Sequence, residues 1–283
     1  MCSLLELCRS LLVLMVVLIC SGVSYPVFAA ERPLEVSTET IVAENGTVRI
    51  LLSLKNPSRE PLYNVHPMFH FHHTMAMMPK IMRLEPGQGI TMENTDHPPV
   101  ARDGRYPLVA MVQYQKDKQS GKYLSQIHTD SFYYNDPVES TIEGKIDSVA
   151  EEGVSLLKVW LLNTSSSFKN VRLMLLLPPG LIAEKFQGMM GFTLLAGEEK
   201  RFEVSVRKLS DSESETYPVH LMIEYAEMLK HYTGEVRGDV TFQKYWTVKN
   251  LALHLVLILA FGTFLCYRYW KRKKCSLDGY SAI

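Results

Sequence analysis

The chain has 283 residues with 30 basic and 30 acidic side chains, and 47% of its residues are hydrophobic. That length suits one large domain or two of about 100–150 residues. Setting aside Arg9, Arg268, Lys271, Arg272, Lys273 and Lys274, together with Glu6 and Asp278, leaves a middle segment of net charge about −4, with no electrostatic footprint for nucleic acid, which is excluded as a partner.

The first element is an apolar run over 11–23, preceded by Arg9 and followed by Val27 and Ala29 at the two small-residue positions of a cleavage site. It is too short to span a bilayer of about 30 Å, so 1–29 reads as a cleaved export signal. Cys20 invites a lipoprotein reading, but Ile19 stands where a small residue is required, and plain cleavage is preferred. An uncleaved anchor is the alternative. Cys2, Cys8 and Cys20 lie in this segment, Cys266 and Cys275 near the other end, and none lies between. A small secreted eukaryotic domain usually needs disulfides, so a prokaryotic envelope protein with self-sufficient cores is favoured.

The middle repeats itself. Tyr106-Pro107 with Tyr114 answers Tyr217-Pro218 with Tyr225; Asn56 with Asn64-Val65 answers Asn163 with Asn170-Val171; and Leu84 with Gly87 answers Leu194 with Gly197. Near-constant offsets of about 110 residues predict two copies of one unit. In the first, 30–137, alternating runs at 47–56, 62–72 and 106–114 are separated by the turns 56–61 and 85–89, and 122–134 closes a hairpin. Asp136-Pro137 is the joint. In the second, 138–247, strands are predicted at 154–163, 171–178 and 200–209, with a last hairpin around Glu227 to Lys230. The expected fold is all-β: two tandem immunoglobulin-like antiparallel β-sandwiches plus one C-terminal transmembrane helix.

These motifs, clearest between Leu157 and Tyr225, resemble the immunoglobulin-like modules of prokaryotic envelope proteins, including the cell-adhesion-related CARDB class. The resemblance implies binding, spacing or adhesion rather than catalysis.

The predicted transmembrane helix spans 248–270. Its uncharged core, 251–267, covers about 25 Å at 1.5 Å per residue and can be stretched by snorkelling of Arg268. Tyr245 and Trp246 would form the outer aromatic belt. Five basic residues follow the core, so the tail 271–283 is expected in the cytoplasm and both sandwiches outside the inner or plasma membrane. His254 and Gly262 are the candidate contacts of this helix with another membrane protein, the first ionisable and the second small enough for close approach.

Metal ligands concentrate only at 66–78. Period-two alternation puts Val65, Pro67, Phe69 and Phe71 on one strand face and His66, Met68, His70 and His72 on the other. Imidazoles suit zinc or copper, and the thioethers of Met75, Met77 and Met78 favour Cu(I). The competing reading is a solvent-facing or inter-domain strand that is His-rich by accident, followed by methionines that fill core. No catalytic residue or organic cofactor is expected: Ser, His and Asp lie in no triad context, Gly87 and Gly89 open no helix, and Glu151-Glu152 and Glu198-Glu199 suit turns. Asn45 and Asn163 head sequons, and in a eukaryotic source they would be glycosylation acceptors, with Cys266 and Cys275 as palmitoylation sites. The functions left are a membrane-anchored scaffold with a protein or envelope partner, copper or zinc handling, or an accessory subunit of a membrane enzyme or export complex.

Overall fold

The computed structural model describes residues 34–242, except 72, 73, 120, 152, 187 and 210–215, and the helical residues 258, 261–265 and 268. Strands in the first half are β1 (Glu35–Val42), β2 (Val48–Lys55), β3 (Leu62–Phe71), β4 (Thr74–Met77), β5 (Ile81–Leu84), β6 (Gly89–Asn94), β7 (Gly104–Gln115) and β8 (Leu124–Tyr134). The second half contains β9 (Ile142–Ala150), β10 (Val154–Asn163), β11 (Lys169–Leu176), β12 (Leu181–Ala183), β13 (Met189–Leu194), β14 (Glu199–Lys208), β15 (Thr216–Glu227) and β16 (Lys230–Thr241). The described chain is all-β apart from those few helical residues, and Asp136-Pro137 lies between β8 and β9.

Each half encloses its own core. In the first, the sheet β1-β2-β6 faces a sheet in which β3 pairs β5 and β7, and β7 pairs β8. Ile50, Leu52 and Leu54 from one layer meet Val65, Phe69, Leu108, Ala110 and Val112 from the other. In the second half, β12-β14-β10-β9 faces β13-β11-β15-β16, and Leu157, Leu161 and Val206 meet Leu173, Leu221 and Ile223. The pairing order β1-β2-β6 has its counterpart in β9-β10-β14, and β5-β3-β7-β8 in β13-β11-β15-β16.

One polar device occurs in both halves. Asn56 and Asn163 end β2 and β10 with no solvent exposure. The Asn56 amide donates to the carbonyls of Glu60 and Leu84, and its oxygen accepts from the backbone and hydroxyl of Ser58. The Asn163 amide donates to the carbonyls of Ser167, Leu194 and Leu195, and its oxygen accepts from the backbone and hydroxyl of Ser165. Each asparagine therefore ties the strand on one layer to the turn that enters the other. The sequon reading of Asn163 fails for the same reason: a buried amide with three carbonyl partners has no room for a glycan. Asn45, in the β1–β2 turn, is exposed.

β3 alternates as the sequence predicts, with Val65, Pro67, Phe69 and Phe71 buried and His66, Met68 and His70 half-buried on the opposite face. Leu62 also faces the core although three residues separate it from Val65. A bulge between Tyr63 and His66, with Asn64 at φ 51, absorbs the odd residue.

Among the described residues no helix is long and apolar enough to cross a membrane. Most of the predicted span 248–270, including His254, lies outside the described residues, as do the export signal, the tail and His72.

Asn163→Ala removes the donor shared by one buried and two part-buried carbonyls, and it should destabilise the purified chain by about 1–3 kcal/mol in urea unfolding, as should Asn56→Ala. Loss below about 0.5 kcal/mol for either would show that water replaces the amide.

Candidate functional site at the junction of the halves

The outer faces of the two large sheets carry apolar patches among their polar residues. β7 carries Val109 and Met111 on the face away from its own core, β8 carries Ile127, β11 carries Met174 and Leu176, and β15 carries Met222; these side chains pack on one another between the halves. Apolar burial of this kind is non-directional. The register between the halves is set by polar contacts around it.

The first contact is made where β3 has ended. Phe71 pairs with Leu108, so the edge of β7 beyond that point is open, and His231 of β16 pairs there with Gly104 in parallel. The His231 amide donates to the Asp103 carbonyl at 2.8 Å. Gly104 has φ +130, and a Cβ at this position would collide with the His231 backbone. The His231 ring stacks on Tyr106 at 4.2 Å between centroids and 4° between planes. Its Nδ1 donates to the Arg105 carbonyl at 2.7 Å, and its Nε2 lies 3.2 Å from Oε2 of Glu224, both side chains being buried. A carbonyl can only accept, so Nδ1 holds a proton, and Nε2 faces the Glu224 carboxylate. Both ring nitrogens are thus engaged in holding β16 to β7 and β15. A cleft of about 580 Å³ opens beside this pair, lined by Tyr106, Arg102, Arg172, Glu224, Tyr225 and His231 among others.

The second contact centres on Glu235 of β16. Its carboxylate accepts from Thr129 of β8 at 2.7 Å, from Arg237 at 2.9 Å, and lies 2.6 Å from Nδ1 of His220. Burial alone would raise this carboxyl, but hydrogen bonds from His220, Arg237 and Thr129 outweigh it and hold the value at about 2. Arg237 also reaches Thr129 at 3.2 Å. His128 on β8 is pushed down by burial, against the pull of Asp130.

The third contact involves a residue singled out by sequence. His70 Nε2 lies 2.8 Å from Sδ of Met174 on β11, and Nδ1 lies 3.4 Å from the Thr74 carbonyl. Burial lowers its proton affinity. His66 and Met68 share its face of β3. Met75 and Met77 are exposed on β4, whereas Met78 is buried in the first core. Among the described residues no three His, Cys, Asp or Glu side chains converge as metal ligands. Gly262 has open space around it. Sequence reasoning missed Glu224, His231, His220 and Glu235 because they lie on strands whose alternation marks only one face as core.

No family model and no curated protein sequence matches the chain. Among solved structures it is similar to trypsin-activated alpha-2-macroglobulin from Escherichia coli, with 10% identity and a TM-score of 0.30 over 74% of this chain and 18% of that one. It is also similar to red sea bream transglutaminase, with 8% identity and a TM-score of 0.28 over 78% of this chain and 34% of that one. A third likeness is to the CsuC–CsuE chaperone–tip adhesion subunit complex of Acinetobacter baumannii, with 10% identity and a TM-score of 0.26 over 74% of this chain and all of that one. The chain spans under a fifth of the macroglobulin, and at these identities and TM-scores the likenesses carry no argument about activity or partner.

The Glu235 carboxyl sits at about 2 in the folded chain against an ordinary 4.5, so its contribution is complete above pH 4.5 and disappears as pH falls towards 2. Thermal melts of the wild type should drop across that window. Glu235→Gln should flatten the drop and lose about 2–3 kcal/mol at neutral pH. Coincident pH profiles would exclude the carboxylate as a clamp. Gly104→Ala should separate β16 from β7, read as new protease cleavage near residues 103–105, while Gly87→Ala, with open space around it, should leave that region protected.

Proposed function

We propose that this chain is a non-catalytic interaction or scaffold protein of the cell envelope, built from two tandem copies of one immunoglobulin-like, CARDB-type module. In this reading the segment 248–270 anchors it in the membrane, with both modules outside and 271–283 in the cytoplasm. The matching pairing orders and the paired asparagine networks support duplication, and the hydropathy and charge of the C-terminal region support the anchor.

The observation that carries the interaction reading lies where β15 turns into β16. Three turns meet there. Asn163 ties the turn after β10 to Leu195 after β13, and Ser167 and Lys169 both donate to Glu227 before the hairpin turn, at 2.5 Å each. The cluster presents Phe168 and Leu195 at 61% exposure, Met228 at 88% and Leu229 at 83%. Met228 and Leu229 are the two central residues of a hairpin, at φ 47 and 65. That geometry is normally filled by Asn-Gly, and each bulky residue in it costs about 1–2 kcal/mol. Strain combined with grouped exposed apolar side chains marks a contact surface for a protein partner. β16 has 12 residues, so the tip stands about 36 Å from the strand end that leads towards the anchor.

A photo-crosslinker at Phe168 should capture a defined envelope protein in intact cells, and Met228→Asp with Leu229→Asp should abolish that adduct while Met82→Asp leaves it. An adduct unaffected by the tip variant would refute the surface. A tag on 271–283 should be unreachable from outside intact cells; labelling there would overturn the topology.

A further inference from the structure

We propose that the outer face of the sheet β12-β14-β10-β9 is a carbohydrate site, in which the indole of Trp160 carries the C–H face of a pyranose ring and the charged side chains around it bind the hydroxyl groups. β10 has a hydrogen-bonded neighbour on each side, so an outward side chain in its middle is flanked by two others. Trp160 is opposed by Lys145 of β9 and Arg201 of β14, and Lys158 by Asp147 and Glu203. These six side chains form two adjacent rungs, with about 4.8 Å between strands and about 6.6 Å between the rungs. They line a groove of about 790 Å³ on the face turned away from the second core.

The indole is oriented by its nitrogen. Its N–H donates to the Glu199 carboxylate, which also accepts from Nε of Arg201 at 2.6 Å. Glu199 does not line the groove, so the polar edge of the ring is directed away and carbon is what the ring offers there. The π-face of an indole is negative and attracts the weakly positive axial C–H bonds of a sugar. Donors and acceptors alternate around it: Lys145, Arg201 and Lys158 donate, while Asp147 and Glu203 accept. A hydroxyl group does both, so a ring of hydroxyls is matched on either side. The charges then choose the occupant. Lys145, Lys158 and Arg201 balance Asp147, Glu203 and Glu199, and a face without net charge favours a neutral polyol over a phosphate or an acidic peptide. A β-linked glucose chain, whose ring hydroxyls are all equatorial, presents the flat C–H face that an indole covers. This face and the apolar tip of the β15–β16 hairpin belong to opposite layers of the second half, so the two readings fail separately.

Titration calorimetry with cellotetraose tests the site on the purified full chain, kept in a detergent without a sugar head group. Saturable binding of one equivalent is expected, with maltotetraose, whose chain curves and offers no continuous flat face, bound several-fold more weakly. Trp160→Ala should weaken cellotetraose binding at least tenfold, whereas Trp160→Tyr, which keeps an aromatic face, should retain most of it. Asp147→Asn with Glu203→Gln, at exposed positions where folding is not at risk, should weaken it several-fold. Met228→Asp, at the tip, should change nothing. No binding of cellotetraose to the wild type overturns the site, and so does an affinity unchanged in Trp160→Ala or equal affinity for the two sugars.

Discussion

Apolar side chains on the outer faces of both large sheets cannot be left in water, and this constraint decides how the molecule is put together. Val109 and Met222 are as buried as residues of either core, yet belong to neither. Each such side chain contributes about 1.5–3 kcal/mol when fully covered. The polar contacts around them contribute about 1 kcal/mol each, somewhat more where a charge is involved. Association is therefore apolar in origin, and the polar groups choose the arrangement: without His231 at Gly104 and Glu235 at Thr129 the same faces could slide over one another. Burying Glu224 and His231 together is tolerated because each satisfies the other, and removal of either would leave a buried polar group without that partner.

The same division of labour holds inside each half. The cores are ordinary Val, Leu, Ile and Phe, and what makes the end of each half specific is a single primary amide. Asn56 and Asn163 each serve carbonyls from two segments far apart in sequence and accept from a serine two residues on. A hydroxyl or carboxylate in that position could not donate two hydrogen bonds while accepting two. The turn geometry thus requires asparagine for its chemistry, which is also why the tripeptide at Asn163 resembles a glycosylation signal without being accessible as one.

Period-two alternation made β3 legible, because Val65 to Phe71 buries every second residue over several positions. Turn chemistry likewise marked the hairpin at Glu227 to Lys230. The edge strands β1 and β9 were not legible: Glu35 to Val42 alternates between exposed and half-buried residues, so its pattern lacks contrast. β4 was hidden by a run of methionines that reads as core filler. Of the junction only the alternative that β3 is an inter-domain strand was legible; its partners were not, since His70 meets Met174 across 104 positions and His231 reaches Arg105 across 126. Alternation says which face of a strand is wet or dry in its own sheet; it does not say that a second sheet will cover the wet face.

The hairpin tip shows the opposite relation between stability and surface. Asn-Gly at positions 228 and 229 would relieve two left-handed residues and remove two of the most exposed apolar side chains of the described chain. The strain is held by neighbours: Lys169, at 2% exposure, sets its ammonium against Glu227 and over the Tyr225 ring, so the last turn of the hairpin is anchored from β11. An ammonium that buried is expensive unless its partner is fixed, and the carboxylate of Glu227 is held low by that lysine and by Ser167. The rigid base allows Met228 and Leu229 to stay extended into solvent instead of folding back on the sheet. A backbone anchored in this way has little loop entropy left to lose on docking, although the exposed Met228 and Leu229 side chains still have rotamers to lose, and this anchoring separates the tip from the scattered apolar residues that any protein exposes.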